Sequence, residues 1–189
     1  MVGQVTPGHV AKPEKIMAMT MGFCVDAELI RQAEASVNAL RNAKLTVATA
    51  ESCTGGLIAA ALSHIPGAGE CLHGGFVVYT KAFKSAALGV SQRMLEEQGS
   101  VNSAVAIQLV TGALNRSPAS VAIAVTGVLG PSPDEDGNPP GQVYFAVARR
   151  NQTPSVLMES IERDNPDAVR HAAVIRALEL LRDAAALPQ

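Results

Sequence analysis

Two short clusters in this chain hold residue types suited to the chemistry of phosphates, oxyanions and carbonyl groups. The first is Glu51-Ser52-Cys53-Thr54-Gly55-Gly56, set between the apolar runs Leu45–Ala50 and Leu57–His64. It supplies two hydroxyls, a thiol and a carboxylate where a plain connector needs only a cap and a small residue. If the first run is a strand and the second a helix, the joint lies where α/β proteins bind ligands, at a strand's carboxyl end beside a helix start. The first N–H groups of a helix lack partners inside it and carry partial positive charge. Gly55 and Gly56 allow close approach to that backbone, and Ser52 and Thr54 add hydroxyl donors. The joint is therefore a candidate cradle for an oxyanion or phosphate. The plainer reading is that Thr54 caps the helix and the glycines allow close packing.

The second cluster is Tyr79 and Lys84. Tyr79 ends an apolar, β-branched run, and Lys84 follows five residues later in a helix-like stretch. A lysine half-buried against a sheet loses part of its affinity for a proton and can act as a base. On spacing alone, a solvated helix lysine is the better reading. The four histidines, His9, His64, His73 and His171, are scattered without helix-spaced partners, so neither a metal site nor a histidine triad is expected. No cofactor is expected either.

The elements that must position these clusters follow from periodicity. Apolar residues Leu29, Ile30, Ala33, Val37 and Leu40 share one helical face behind Asp26, a candidate N-cap. Strands are expected at Leu45–Ala50, Gly75–Thr80, Ser120–Gly127 and over "QVYFAVARR", with Ser155–Ile161 as an edge strand. Helices are expected at Leu57–His64, Lys81–Leu88, after Ser91, at Ala104–Arg116 capped by Ser103, and at Asp167–Leu181. Strands alternating with helices predict a layered α/β domain, and nearly unbroken apolar strands predict a sheet covered on both faces. Residues 1–22 read as an amino-terminal tail in which Met17, Met19 and Met21 alternate, and 23–189 as a single domain.

Composition excludes several classes. The formal net charge is −2, there is no Trp, and only Tyr79, Tyr144 and four Phe are aromatic. Neither a basic footprint nor a stacking platform for nucleic acid is present in the sequence. No apolar run reaches the roughly 18 residues a membrane span needs, so no membrane partner is expected. Cys24, Cys53 and Cys71 show no zinc or disulfide spacing and suit a reducing, cytoplasmic setting. Homo-oligomerisation is expected only from the general habit of small α/β domains.

Six stretches in order, "ATAESCTGGLIAAAL", "GGFVVYTKAFKSAALGV", "GSVNSAVAIQLVTGAL", "AIAVTGVLGP", "PPGQVYFAVA" and "DAVRHAAVIRALELL", resemble the carboxy-terminal domain of the CinA (competence-damage-inducible) family. The resemblance runs from about residue 26 to residue 183. It implies a three-layer α/β/α sandwich of the CinA C-terminal type. It also implies hydrolysis of the carboxamide of nicotinamide mononucleotide to nicotinate mononucleotide and ammonia, the substrate being a small pyridine nucleotide. By the same resemblance Lys84 is the catalytic lysine and Tyr79 its companion; Ser52, placed by the joint in the same crevice, is then expected as oxyanion donor or replacement nucleophile. Thr54, Gly55, Gly56, Thr126, Gly127 and Arg170 are then the residues that meet substrate.

The sequence departs from the family pattern at four places. The family carries a G-S-S segment with a serine regarded as the nucleophile; Ala68 and Gly69 stand there instead. Ser52 or Cys71 is then the replacement, or the chain binds a nucleotide or a protein without hydrolysis. Lys81 stands where the family usually has Asn. Pro166 falls near the family's phosphate-binding arginine, leaving Arg163 or Arg170, of which Arg170 in "DAVR" is preferred. The loop "TGVLGPSPDEDGNPPG" replaces a glycine-rich continuation with Asp134, Glu135 and Asp136, expected to be a solvated turn.

Overall fold

The computed structural model describes residues 25–187. The assigned tail 1–22, its alternating methionines and Cys24 lie outside the described residues. The elements are α1 (Ala27–Asn42), β1 (Val47–Glu51), α2 (Leu57–Ser63), a single 3₁₀ turn (Ala68–Glu70), β2 (Leu72–Val77), α3 (Lys81–Leu88), α4 (Gln92–Gln98), α5 (Ser103–Asn115), β3 (Val121–Gly127), β4 (Gln142–Arg149), β5 (Ser155–Ser160) and α6 (Pro166–Ala186).

The strands form one sheet in the order β2-β1-β3-β4-β5. β1 runs parallel to both β2 and β3, while β3–β4 and β4–β5 are antiparallel. Helices cover both faces, which makes the expected three-layer α/β/α sandwich. Strand periodicity divides the side chains unequally between the two faces. Val47, Val121, Ile123, Val125, Val143 and Phe145 pack with α1, α2 and α6. Ala50, Ala122, Ala124, Ala146 and Ala148 pack with α3, α4 and α5. The alanine face lets α5 lie close to the sheet, and α5 is itself close to α3. A Cβ on Gly112 would come 2.2 Å from the Leu88 carbonyl oxygen.

Several boundaries differ from the sequence expectation. β2 is Leu72–Val77 rather than Gly75–Thr80, because its pairing with β1 runs from Val47–Leu72 to Glu51–Val77. Gly74, just outside the expected strand, lies inside β2 with Gly75. A Cβ at Gly75 would sit 2.4 Å from Thr49 Oγ1, so the neighbouring strand requires glycine there. α5 is capped by Asn102, whose side chain accepts from Val105 N–H at 2.9 Å, and Ser103 is its first helical residue. α6 begins at Pro166, capped by Asn165, with proline in the first turn where its missing N–H costs nothing. Among the described residues, no helix is long and apolar enough to cross a membrane.

Candidate functional site

β1 ends at Glu51, and the chain must turn into α2 within a few residues. Gly55 (φ 66°) and Gly56 (φ 95°) make that turn in the left-handed region. Gly56 occupies the N-cap position and has no side chain to cap the helix. Glu51 does so from the strand. Val47, Thr49 and Glu51 alternate onto the face toward α2, so the Glu51 carboxylate lies below the helix start. It accepts from the N–H groups of Gly56 (3.0 Å), Ile58 (3.0 Å) and Ala59 (2.9 Å) and from the hydroxyls of Thr49 (3.0 Å) and Thr54 (2.8 Å). Glu51 is wholly buried, and its negative charge faces the positive end of the helix.

The cradle expected at Thr54, Gly55 and Gly56 therefore has a different occupant. The N–H of Gly56 and the hydroxyl of Thr54 are already bonded to Glu51, and Thr54 is buried. None of the three residues lines the large hollow beside the joint. Sequence reasoning saw the carboxylate and gave it no role. The missed signal was parity: Glu51 stands two and four residues from Thr49 and Val47, hence on their face.

The joint instead presents Ser52 and Cys53 to a hollow of about 700 Å³ at the carboxyl end of β1 and β3. Ser52 is held by its own N–H, which donates to Val125 O at 3.0 Å. Across the hollow stands α3, capped by Thr80, whose hydroxyl accepts from Phe83 N–H at 3.2 Å. Lys84 lies one helical turn before Leu88 on the inward face of α3, and only 1% of it is exposed. Its Nζ donates to Ser52 Oγ at 2.8 Å and to the Tyr79 carbonyl at 3.1 Å.

Burial holds the Lys84 ammonium down to a pKa of about 8, and the nearby positive charge of Lys81 acts in the same direction. Cys53 acts in the opposite direction and partly offsets the fall, while burial pushes the Cys53 thiol itself up to about 12. Near pH 8, then, a substantial fraction of Lys84 is a neutral amine bonded to a serine hydroxyl. That arrangement can take up the hydroxyl proton as the oxygen attacks a carbonyl carbon.

The remaining expected residues distribute as follows. The Tyr79 phenol is 72% exposed at the rim, so the part of Tyr79 that touches Lys84 is its main-chain carbonyl. Gly127 lines the hollow, as does Thr126, but the Thr126 hydroxyl donates to Ser100 O at 2.9 Å and ties that segment to β3. Arg170 lines the hollow from α6, with Nε 3.4 Å from Cys53 O and Nη1 2.6 Å from Asp167. Arg163 stands beside a separate hollow of about 310 Å³.

Ala68 and Gly69 lie in the 3₁₀ turn before β2, and Cys71 O accepts from Val47 N–H at the start of β1. These residues are at the amino end of the parallel strands, roughly 15 Å along β1 from Ser52. A serine at 68 or 69 would not reach this hollow. Cys71 is buried in the core at the same end, away from it. The acidic loop is more than a solvated turn: Asp136 accepts from Lys81 Nζ at 2.8 Å and from Ser100 N–H at 3.2 Å.

The model of the CinA C-terminal domain matches residues 30–185. Over 156 residues the chain is 35% identical to the nicotinamide-nucleotide amidohydrolase PncC of Escherichia coli K12, covering 82% of this chain and 94% of that protein. Over 181 residues it is 36% identical to a CinA-like protein of Anaeromyxobacter sp. strain Fw109-5, covering 93% of this chain but 43% of the relative. Other relatives are also longer, the chain spanning 32% of one from Caldicellulosiruptor bescii and 37% of one from Prochlorococcus marinus. The solved structure of the competence/damage inducible protein CihA from Agrobacterium tumefaciens superposes with a TM-score of 0.80 at 36% identity, covering 86% of this chain and 98% of that one.

Proposed function

This chain belongs to the CinA C-terminal domain family, and we propose that it hydrolyses the carboxamide of nicotinamide mononucleotide, with Ser52 as nucleophile and Lys84 as base. The observation that carries this reading is the 2.8 Å contact between Lys84 Nζ and Ser52 Oγ inside a hollow large enough for a nucleotide. The relative from Escherichia coli, matched over nearly its whole length, is named for nicotinamide-nucleotide amidohydrolysis.

In this mechanism neutral Lys84 accepts the Ser52 proton as Oγ bonds to the carboxamide carbon. The carbonyl oxygen takes up negative charge beside the turn after Ser52. Cys53 lines the hollow next to Ser52, and no described carbonyl or carboxylate accepts from its N–H, which makes that N–H the donor proposed for this charge. When the carbon–nitrogen bond breaks, the Lys84 ammonium returns its proton to the leaving nitrogen and ammonia departs. A water molecule, deprotonated by the again neutral Lys84, then cleaves the ester on Ser52 and releases the carboxylate product. Tyr79 O holds the Lys84 amine toward Ser52, and Arg170 meets the phosphate.

The test is ammonia release from nicotinamide mononucleotide by the purified full chain, run beside a thermal-shift titration with the same nucleotide. Ammonia from the wild type supports the enzyme. A thermal shift without ammonia identifies a nucleotide-binding module and overturns the catalytic reading.

A further inference from the structure

The loop between β3 and β4 carries Asp134, Glu135 and Asp136, and its tip is folded on itself before it meets anything else. Asp134 Oδ1 accepts from Asp136 N–H at 3.0 Å and Asn138 N–H at 2.8 Å, and Asp134 O accepts from Gly137 N–H at 3.1 Å. This turn presents Asp136 to the opposite rim of the hollow. There the carboxylate meets Lys81 Nζ at 2.8 Å through Oδ1 and Ser100 N–H at 3.2 Å through Oδ2. It fits against Gly99 so closely that a Cβ there would lie 2.5 Å from Oδ2. Ser100 is in turn bonded to Thr126 at the end of β3. The loop tip, the first turn of α3 and the segment before α5 are thus joined around the hollow, which Lys81, Ser100, Thr126, Asp134 and Glu135 all line.

Exposed ion pairs contribute little, and the Lys81–Glu135 contact is of that kind, because the Glu135 side chain is 74% exposed. The Lys81–Asp136 pair is different: its side chains are 30% and 23% exposed, and a main-chain donor shares the carboxylate. We propose that Lys81 is a positioning residue of this site: through Asp136 it fastens the acidic loop across the hollow, so that the loop becomes a wall against the bound substrate. The proposal rests on the amidohydrolase reading for its substrate. It assigns Lys81 no proton transfer, since Lys81 is one helical turn outward from Lys84 and its amine is bonded to carboxylates.

The experiment compares wild type, Lys81→Ala, Lys81→Arg, Asp136→Asn and the double variant Lys81→Ala/Asp136→Asn, with nicotinamide mononucleotide at pH 9. Hydrogen exchange of the amides at 132 and 134–138 is followed in the same proteins. Lys81→Ala and Asp136→Asn are expected to raise KM about fivefold, with kcat within about twofold of wild type, and to speed loop exchange. The double variant should be no worse than either single one, and Lys81→Arg should recover most of the KM. Unchanged KM with faster loop exchange overturns the proposal, as does a fall in kcat at unchanged KM or an additive double variant. If the wild type releases no ammonia, the amidohydrolase reading fails instead. Nucleotide affinity by titration calorimetry, scored against loop exchange across the same variants, then decides whether the latch shapes the hollow: a fivefold loss supports it and no loss overturns it.

Discussion

Lys84 Nζ and Ser52 Oγ are 2.8 Å apart although 32 residues separate them, and neither side chain is open to solvent beyond a few per cent. Removing an ammonium from water is costly, so a buried lysine without a carboxylate partner weakens the fold. In this chain the compensation comes from a hydroxyl and a main-chain carbonyl, neither of which stabilises the charged form as a carboxylate would. The pair therefore holds an amine that gives up its proton near pH 8, well below a solvated lysine.

Activity should follow from that state. With Lys84 titrating at about 8, ammonia release should climb from pH 6 to pH 9 and level off beyond, following one ionisation on the acid side. Lys81→Ala removes a positive charge that lowers the Lys84 pKa, so the rise should shift to higher pH. A profile falling between pH 7 and 9 would rule out a neutral lysine as base.

Stability should move with the same proton. Between about 8 and the unfolded lysine value of about 10.4, the unfolded chain binds a proton on residue 84 that the folded chain does not, so the fold gains stability as pH rises through that window. Below 8 both states are protonated and the fold carries the full cost of the buried charge. Lys84→Met should therefore abolish activity and raise stability at pH 7 by about 1–3 kcal/mol, less any loss from the Ser52 hydroxyl left without its partner. Urea denaturation at pH 7 and pH 10 checks both the gain and its disappearance at the higher pH.

Glu51 should behave in the opposite way. Glu51→Ala leaves two helix-start N–H groups, the Gly56 N–H and two threonine hydroxyls without their acceptor, in a region water reaches poorly. A loss of about 3–5 kcal/mol is expected, by denaturant unfolding. Glu51→Gln retains one acceptor oxygen and should lose less.

Gly75→Ala should cost about 1–3 kcal/mol, because the new methyl group meets Thr49 Oγ1 at 2.4 Å and Ala59 Cβ at 3.2 Å. Thr49 donates to Glu51, so the damage should reach the joint and lower activity as well. A variant with wild-type melting temperature would show that β1 and β2 are less tightly packed than described.

Much of this was legible from residue types. The alternation of apolar strands with amphipathic helices specified the layered α/β class, and Ser52 at a strand end pointed to a crevice, whereas Lys84 was singled out by the family resemblance and not by its spacing. What stayed hidden depends on contacts distant in sequence. Glu51 was assigned no partner because the N–H groups it bonds belong to the next element, and only strand parity points its carboxylate there. The expected strand start is three residues late, at Gly75 rather than Leu72, because Leu72-His73-Gly74 carries no β-branched residue and no Phe, Tyr or Trp, whereas pairing with β1 extends the strand through it. The replacement of a serine pair by Ala68-Gly69 looked disabling in one dimension. In three dimensions those residues stand at the opposite end of the strands from Ser52. The acidic loop looked solvated because its partner, Lys81, lies 55 residues earlier.

The most direct measurement is the rate of ammonia release from nicotinamide mononucleotide at pH 9 by wild type, Ser52→Ala and Cys71→Ala. Ser52→Ala is expected to lose roughly 10³-fold or more, while Cys71→Ala keeps the wild-type rate within about twofold. Turnover by Ser52→Ala within tenfold of wild type would place the nucleophile elsewhere and contradict the account.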